Sequence, residues 1–273
     1  MADADEVITR ALTEDIAGGD ITTDALIPAD ARGTFALISK DKGVLAGIDV
    51  FTLVFKKLDK DVVITTRAKD GDHLNYRDVI ATITGSVSAL LKGERTALNL
   101  LQHLSGIAGK TAEAVETVKD YQLKILDTRK TIPGIRRLQK YAVCVGGGYN
   151  HRLSLNDMFL IKDNHIKAAG GIREAFKRAK SYDAKKLIEI ETATLDQVRE
   201  AFDVRPDVIM LDNMDDATMK AAKDIIGRLC KTEASGNVTA GRLITLARLG
   251  VDYASIGALT HSVRAHDFSL KMQ

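Results

Sequence analysis

Between Asp127 and Asn164 the chain crowds cations and imidazoles into three short stretches, DTRKTIPGIR, GGGYNHR and LIKDNH. Formal net charge is only +2 over 273 residues, so Arg129, Lys130, Arg136, Arg137, His151, Arg152, Lys162 and His165 are not the overflow of a basic protein. Fixed cations gathered in one region of a nearly neutral chain predict a pocket for an anion carrying several negative charges. The same charge balance, with 5% aromatic residues and no Trp, argues against a basic groove with stacking platforms, so no nucleic acid is expected. No apolar run approaches the ~18 residues needed to span a bilayer. The stretch MADADEVITRALTEDI is acidic and amphipathic rather than basic and then apolar, which predicts a cytoplasmic location without membrane attachment. Cys144 and Cys230 lie in mainly apolar stretches without CxxC spacing, which predicts reduced, buried thiols.

The elements that must position these residues fall into two blocks. Hydrophobic content of 45% over this length suits one large or two modest domains. The first block opens with a helix through about Thr13 and a turn at Gly18 and Gly19. It continues as short strands, GTFALISK, DVVITTRA and DVIATITG, around a helix within GVLAGIDVFTLVFKKL. From Ala89 to Asp120 the spacing of Leu90, Leu91, Leu98, Leu101, Leu104 and Ile107 is helical, and Gly106 with Gly109 predicts a break into a packed helix pair. The second block repeats a unit: KILDTRK, MFLIKDN, KLIEIET, DVIMLDN, CKTEASG and YASIGA are short apolar runs ending in polar residues or glycine, mostly separated by helical stretches of 10 to 15 residues such as GIREAFKRAKSY and DATMKAAKDII. Alternation of this kind implies parallel strands with right-handed crossovers. A barrel is favoured over a doubly wound sheet because functional-looking residues end nearly every run, whereas an open sheet gathers them at one switch point.

The run ends therefore form one mouth. They supply Asp127, Thr128, Arg129 and Lys130, then Lys162, Asp163 and Asn164, then Glu191, then Asp212 and Asn213, then Glu233, Ser235, Gly236 and Asn237, and finally Gly257. Cations lie early, acids in the middle, and small residues ahead of helices at the end. The last two ends suit a phosphate, which backbone N–H groups there can meet without side-chain interference. The acidic middle suits ribose hydroxyls and a divalent metal that prefers oxygen ligands. Plainer roles compete for some residues. Arg136, Arg137 and Lys140 fall on a helix after Pro133 and Gly134, where a solvated face is an equally good reading. His103 reads as a packed, hydrogen-bonded histidine. His165 either orients Lys162 or caps the next segment, Glu233 is open between a site role and a buried partner for Lys162, and Gly146, Gly147 and Gly148 read as tight backbone.

ERTALNLLQHLSGIA, LDTRKTIPGIR, KYAVCVGGGYNHRLSLNDMFLIKDNHI, IEIET, LDNM, EASGNVT and GVDYASIGALTHS together resemble the quinolinate phosphoribosyltransferase family, and LTEDIAGGDITTDALIP agrees. The resemblance implies an N-terminal α/β sandwich domain over residues 1–105 and an open α/β barrel over 106–273, with its phosphate site at the strand C-terminal ends and the last residues packing back on the first domain. It also implies a homodimer or a hexamer built as a trimer of dimers, each site receiving Arg95 from the neighbour. The implied reaction joins quinolinate to phosphoribosyl pyrophosphate with Mg2+, releasing pyrophosphate and carbon dioxide and giving nicotinate mononucleotide. Guanidinium forks at Arg129 and Arg152 then hold the dicarboxylate, with Thr128, His151 and Lys162 beside them. Lys130 faces the pyrophosphate, while Glu191 and Asp212 serve the ribose and, directly or through water, the metal. Backbone groups at Ser235, Gly236, Asn237, Ile256, Gly257 and Ala258 cradle the 5-phosphate. The catalytic set expected on this likeness is Lys130, Lys162, Glu191 and Asp212. A Schiff-base aldolase using Lys162 or Lys130 and a non-catalytic anion-binding protein are the rival classes.

Overall fold

The computed structural model describes residues 2–273, and its contacts divide the chain into two compact units that do not follow a single cut in the sequence. The first comprises residues 1–112, 131–147 and 259–273; the second comprises 113–130 and 148–258. Among the described residues no helix is long and apolar enough to cross a membrane.

In the first unit, strands β1 (Arg32–Ser39), β3 (Val63–Thr66), β5 (Val79–Ser86) and β12 (Phe268–Met272) form an antiparallel sheet in the order β12-β1-β5-β3, while β2 (Gly43–Val44) and β4 (His73–Leu74) form a separate pair. Helices α1 (Ala2–Ile16), α2 (Ile21–Leu26) and α3 (Ile48–Leu58) accompany it. Phe51 and Phe55, one turn apart on α3, meet edge to face at 5.0 Å and are fully buried, as are Leu37 and Ile83 of the sheet. Asp70 accepts the N–H groups of Gly47 and Ile48 at 2.8 and 3.0 Å, satisfying orphan donors at the start of α3.

Residues 87–117 form one unbroken helix, α4 (Val87–Thr117), rather than the expected pair. Its glycines serve close approach instead of termination. A Cβ on Gly106 would run into the Arg264 carbonyl, and Gly109 passes the backbone of Gly43 and Val44. Burial of Leu90, Leu98, Leu101 and Leu104 outweighs the ~1 kcal/mol that a helical glycine costs relative to alanine. Helix α5 (Arg136–Val145) decides one open reading and corrects one expectation. Lys140 is buried, not solvated, and Cys144 is exposed, whereas Cys230 is buried as expected. Arg137 is exposed, and Arg136 is half-buried and donates to Thr131 at 2.8 Å. His103 is the packed histidine its spacing predicts: its Nε2 accepts from the buried Gln139 amide at 2.9 Å, and burial lowers its pKa.

The second unit carries six parallel strands, β6 (Lys124–Leu126), β7 (Phe159–Ile161), β8 (Ile188–Thr192), β9 (Val208–Asp212), β10 (Lys231–Ser235) and β11 (Tyr253–Ser255), in the order β6-β11-β10-β9-β8-β7. Chain order and spatial order agree from β7 to β11, and β6 then follows β11, as in a barrel opened between its first two strands. Helices α6 (Asp163–Ala169), α7 (Ile172–Tyr182), α8 (Leu195–Val204), α9 (Asp216–Ile226) and α10 (Ala240–Arg248) make the crossovers. The six apolar runs of the sequence are these six strands, so their polar endings lie together at the C-terminal edge of one sheet.

Candidate active site

Strand β8 breaks the rule that a strand covered on both faces is apolar throughout: in Ile-Glu-Ile-Glu-Thr the acids are two apart and therefore on one face. Glu189 is 1% exposed, and Glu233 of β10 is 2% exposed. His151 joins them, with Nε2 3.1 Å from Glu189 Oε2 and 3.6 Å from Glu233 Oε2. Taking both carboxyls out of water pushes Glu189 up to about 7 and Glu233, which also faces the Glu189 charge, up to about 8. The Oε1 atom of each is buried without a hydrogen-bond partner.

His151 is delivered by the triple-glycine segment. After α5 the chain turns at Gly147, whose φ of +85° is the left-handed region, and Gly146 passes the Ala108 carbonyl too closely to carry a side chain. Tyr149 then bridges Leu126 in parallel, donating to Ile125 at 2.8 Å and accepting from the Asp127 N–H at 3.1 Å. Fully buried Asp127 accepts the His151 N–H at 2.8 Å. The Arg152 N–H donates to His151 Nδ1 at 2.7 Å. That bond requires a lone pair on Nδ1, so the ring proton resides on Nε2 and points at the two acids.

The cations lie above this acidic floor. Arg152 is partly buried; desolvation and then the neighbouring Arg129 lower its pKa, with Glu189 and Asp157 pulling the other way. Asp157 meanwhile ties the loop after Arg152 by accepting the N–H groups of Leu153 and Ser154 at 2.5 and 3.2 Å. Lys162 donates to Glu191 at 2.9 Å. At the start of α6, His165 Nδ1 accepts the Lys162 N–H at 3.0 Å, so His165 caps the helix and fixes the Lys162 backbone in one bond. Lys130 is exposed, its N–H donating to Thr128 Oγ1 at 3.0 Å.

At the ends of β9 and β10 two asparagines adopt positive φ, Asn213 at +53° and Asn237 at +51°. Asn213 donates to Asp212 Oδ2 at 2.8 Å and accepts from Asn237 at 3.3 Å, and its N–H reaches the Ser235 carbonyl at 2.9 Å. Gly236 lies so close to the Asn213 amide that no Cβ fits. The acid of one strand end is thereby tied to the small-residue turn of the next. Ile256, Gly257 and Ala258 follow β11, the Ile256 N–H bonded to the Leu126 carbonyl at 2.9 Å.

The structure draws Arg129, Arg152, His151 and Lys162 together around Glu189 and Glu191, and sets Asp212 with Asn213. Arg95 stands exposed on α4 in the first unit. Glu233 is the buried partner of His151 and Glu189; the ion pair of Lys162 is with Glu191. Sequence reasoning missed Glu189, although its signal was present: an acid in phase with Glu191 on an otherwise apolar strand. Chemically, burial and a second guanidinium together disfavour the Arg152 charge despite Glu189 and Asp157, a strain that an entering polyanion would relieve.

Family models match nearly the whole chain: the N-terminal domain of quinolinate phosphoribosyl transferase over residues 20–105 and its C-terminal domain over 107–271. A Bacillus subtilis protein described as a probable nicotinate-nucleotide pyrophosphorylase [carboxylating] is 44% identical over 97% of this chain and 92% of its own. The crystal structure of NadC from Streptococcus pyogenes superposes with a TM-score of 0.94 at 42% identity, covering 98% of this chain and 96% of that one. The nicotinate-nucleotide pyrophosphorylase of Francisella tularensis does so at 0.96 and 39% identity, covering 100% of this chain and 96% of that one.

Proposed function

Because the chain belongs to the quinolinate phosphoribosyl transferase family, we propose that it transfers a phosphoribosyl group from phosphoribosyl pyrophosphate to quinolinate and releases carbon dioxide, supplying nicotinate mononucleotide for de novo NAD biosynthesis. The observation that carries this reading is the convergence of Arg129, Arg152 and Lys162 over the acids of β8, with Arg152 held partly desolvated beside its like-charged neighbour. A pyridine dicarboxylate supplies two carboxylates to such a set, each suited to a guanidinium fork.

With the ring so held, its nitrogen faces the anomeric carbon of the sugar donor. Asp212 and Glu191 meet the ribose hydroxyls and steady the positive charge that grows as the bond to pyrophosphate breaks. Lys130 meets the departing pyrophosphate, and the turns at Ser235, Gly236 and Asn237 and at Ile256, Gly257 and Ala258 hold the 5-phosphate. The carboxylate oxygens of Asp212 and Glu191 are the donor type that Mg2+ prefers, acting directly or through water. When bound, the ion neutralises charge on the pyrophosphate oxygens. Ring ribosylation precedes decarboxylation in this scheme, because a cationic pyridine nitrogen accepts the electron pair left by carbon dioxide. Positioning and fixed charge, without a covalent enzyme intermediate, account for the acceleration.

The assembly in this reading is a homodimer or a trimer of dimers in which Arg95 reaches the neighbour's site, and the location is cytoplasmic. Incubation of the purified protein with quinolinate, phosphoribosyl pyrophosphate and Mg2+ tests the activity. Nicotinate mononucleotide, pyrophosphate and carbon dioxide are expected in equal amounts, with nicotinate far poorer as acceptor. Absence of the nucleotide, or equal use of nicotinate, overturns the reading.

A further inference from the structure

His151 sits among the cations, yet its ring faces away from the role of a substrate contact. Nδ1 accepts the Arg152 N–H at 2.7 Å, and Nε2 lies 3.1 Å from Glu189 Oε2 and 3.6 Å from Glu233 Oε2. These three groups are close enough together to attract a metal ion, their ligand atoms falling within 4.8 Å. The tautomer argues against one: with Nδ1 serving as acceptor, Nε2 carries a hydrogen and has no lone pair to offer a cation. The acids instead act as acceptors for that N–H. They sit at 1% and 2% exposure, each with an Oε1 that meets no donor, so they are costly groups for a merely structural role. Glu233 is also fixed from β11 by the Ser255 hydroxyl.

Resting on the quinolinate reading above, we propose that Glu189 and Glu233 are positioning residues: they hold the His151 ring by its Nε2–H, the ring holds the Arg152 backbone by Nδ1, and this places the Arg152 guanidinium beside Arg129 to receive the second carboxylate of the substrate. His151 is then an internal strut, and preference for a dicarboxylate over a monocarboxylate originates two residues below the contact surface. From below, Asp127 fixes the His151 N–H in the same direction, so the strut is clamped at three points. Like-charge pressure between Arg129 and Arg152 is what the strut resists.

The test compares Glu189→Leu with Glu189→Gln in the full-length protein, with imidazole 15N spectra of the wild type, where the His151 resonances are assigned by their loss in His151→Gln. Loss of one charge-assisted bond of about 1.5–3 kcal/mol corresponds to roughly a 10- to 150-fold effect. Glu189→Leu is therefore expected to raise the quinolinate KM by about that factor and to narrow the preference over nicotinate, while the phosphoribosyl pyrophosphate KM shifts less than about threefold. Glu189→Gln, which keeps an acceptor oxygen, is expected to recover most of the loss. The wild-type spectrum is expected to show the Nε2–H tautomer at His151. An Nδ1–H tautomer, an equal loss in both KM values, or failure of Gln to outperform Leu overturns the proposal. If Glu189→Leu does not fold, the Gln variant and the spectrum still decide. If the wild type makes no nucleotide, the quinolinate reading fails separately, and the tautomer still reports on the strut.

Discussion

Replacing Arg152 by methionine removes the guanidinium and keeps the aliphatic stem, so the change isolates charge and fork geometry. Two structural facts set the expected size. The side chain is partly desolvated, and Arg129 beside it and Lys162, which acts with it on Glu189, would remain to hold part of the substrate charge in the proposed reading. Charge-assisted hydrogen bonds contribute about 1.5–3 kcal/mol each, and a fork makes two. With the remaining cations compensating in part, the net loss comes to about 2–4 kcal/mol, roughly 30- to 700-fold in kcat/KM for quinolinate. The donor side should change little, so the phosphoribosyl pyrophosphate KM is expected within about threefold of wild type. Stability should move the opposite way to activity. Burial and Arg129 both disfavour the Arg152 charge in the folded protein, so Arg152→Met removes a strain and the melting temperature is expected to hold or rise by up to about 3 °C. Steady-state kinetics in both substrates and a thermal melt of the same preparation suffice. An unchanged quinolinate KM removes Arg152 from the site. A melting temperature more than about 4 °C lower, with both substrates equally affected, makes the residue structural.

Glu233 gives a pH prediction. The folded carboxyl keeps its proton up to about 8, whereas an unfolded one releases it near the ordinary glutamate value of 4.5, so the folded state binds more protons between those limits. Its contribution to stability is therefore complete below 4.5 and lost as pH rises through 8, a slope of about −1.4 kcal/mol per pH unit for one such proton. Glu233→Gln should flatten the decline of urea-unfolding stability between pH 5 and pH 7.5 by about that slope, and parallel profiles for the two proteins refute the assignment. Gly236 has a φ of +81° and no room for a Cβ beside the Asn213 amide. Gly236→Ala should displace Asn213 and with it Asp212, raising the phosphoribosyl pyrophosphate KM roughly 5- to 25-fold for the ~1–2 kcal/mol lost, with little effect on quinolinate. Equal loss in both substrates counts against that link. If Arg95 serves the neighbouring subunit, Arg95→Ala and Arg152→Met are each nearly inactive, and co-refolding them in equal amounts restores about a quarter of the sites by random pairing. No recovery in the mixture places Arg95 outside the partner's site.

The parallel-sheet half of the molecule is legible in the sequence because its information is local. Each apolar run is one strand, and the residue ending it lies at the C-terminal edge of the sheet by the direction of a parallel strand alone, which is why Arg129, Lys162, Glu191 and Asp212 can be placed at that edge from spacing. What escapes is what depends on residues distant in the chain. Gly106 reads as a helix breaker until the Arg264 carbonyl is found against it, 158 positions away in numbering, and Lys140 stays open between a solvated face and a site until the packing of α5 is known. The hidden half of the site has the same origin. Glu191 ends its strand and is seen at once, but Glu189 has meaning only when a histidine from after the triple glycine and an acid from β10 close on it. Neither β8 nor the GGGYNHR stretch specifies that encounter alone. The cations at the strand ends are therefore the part of this cluster a sequence displays, and the buried acids beside them emerge only from the fold.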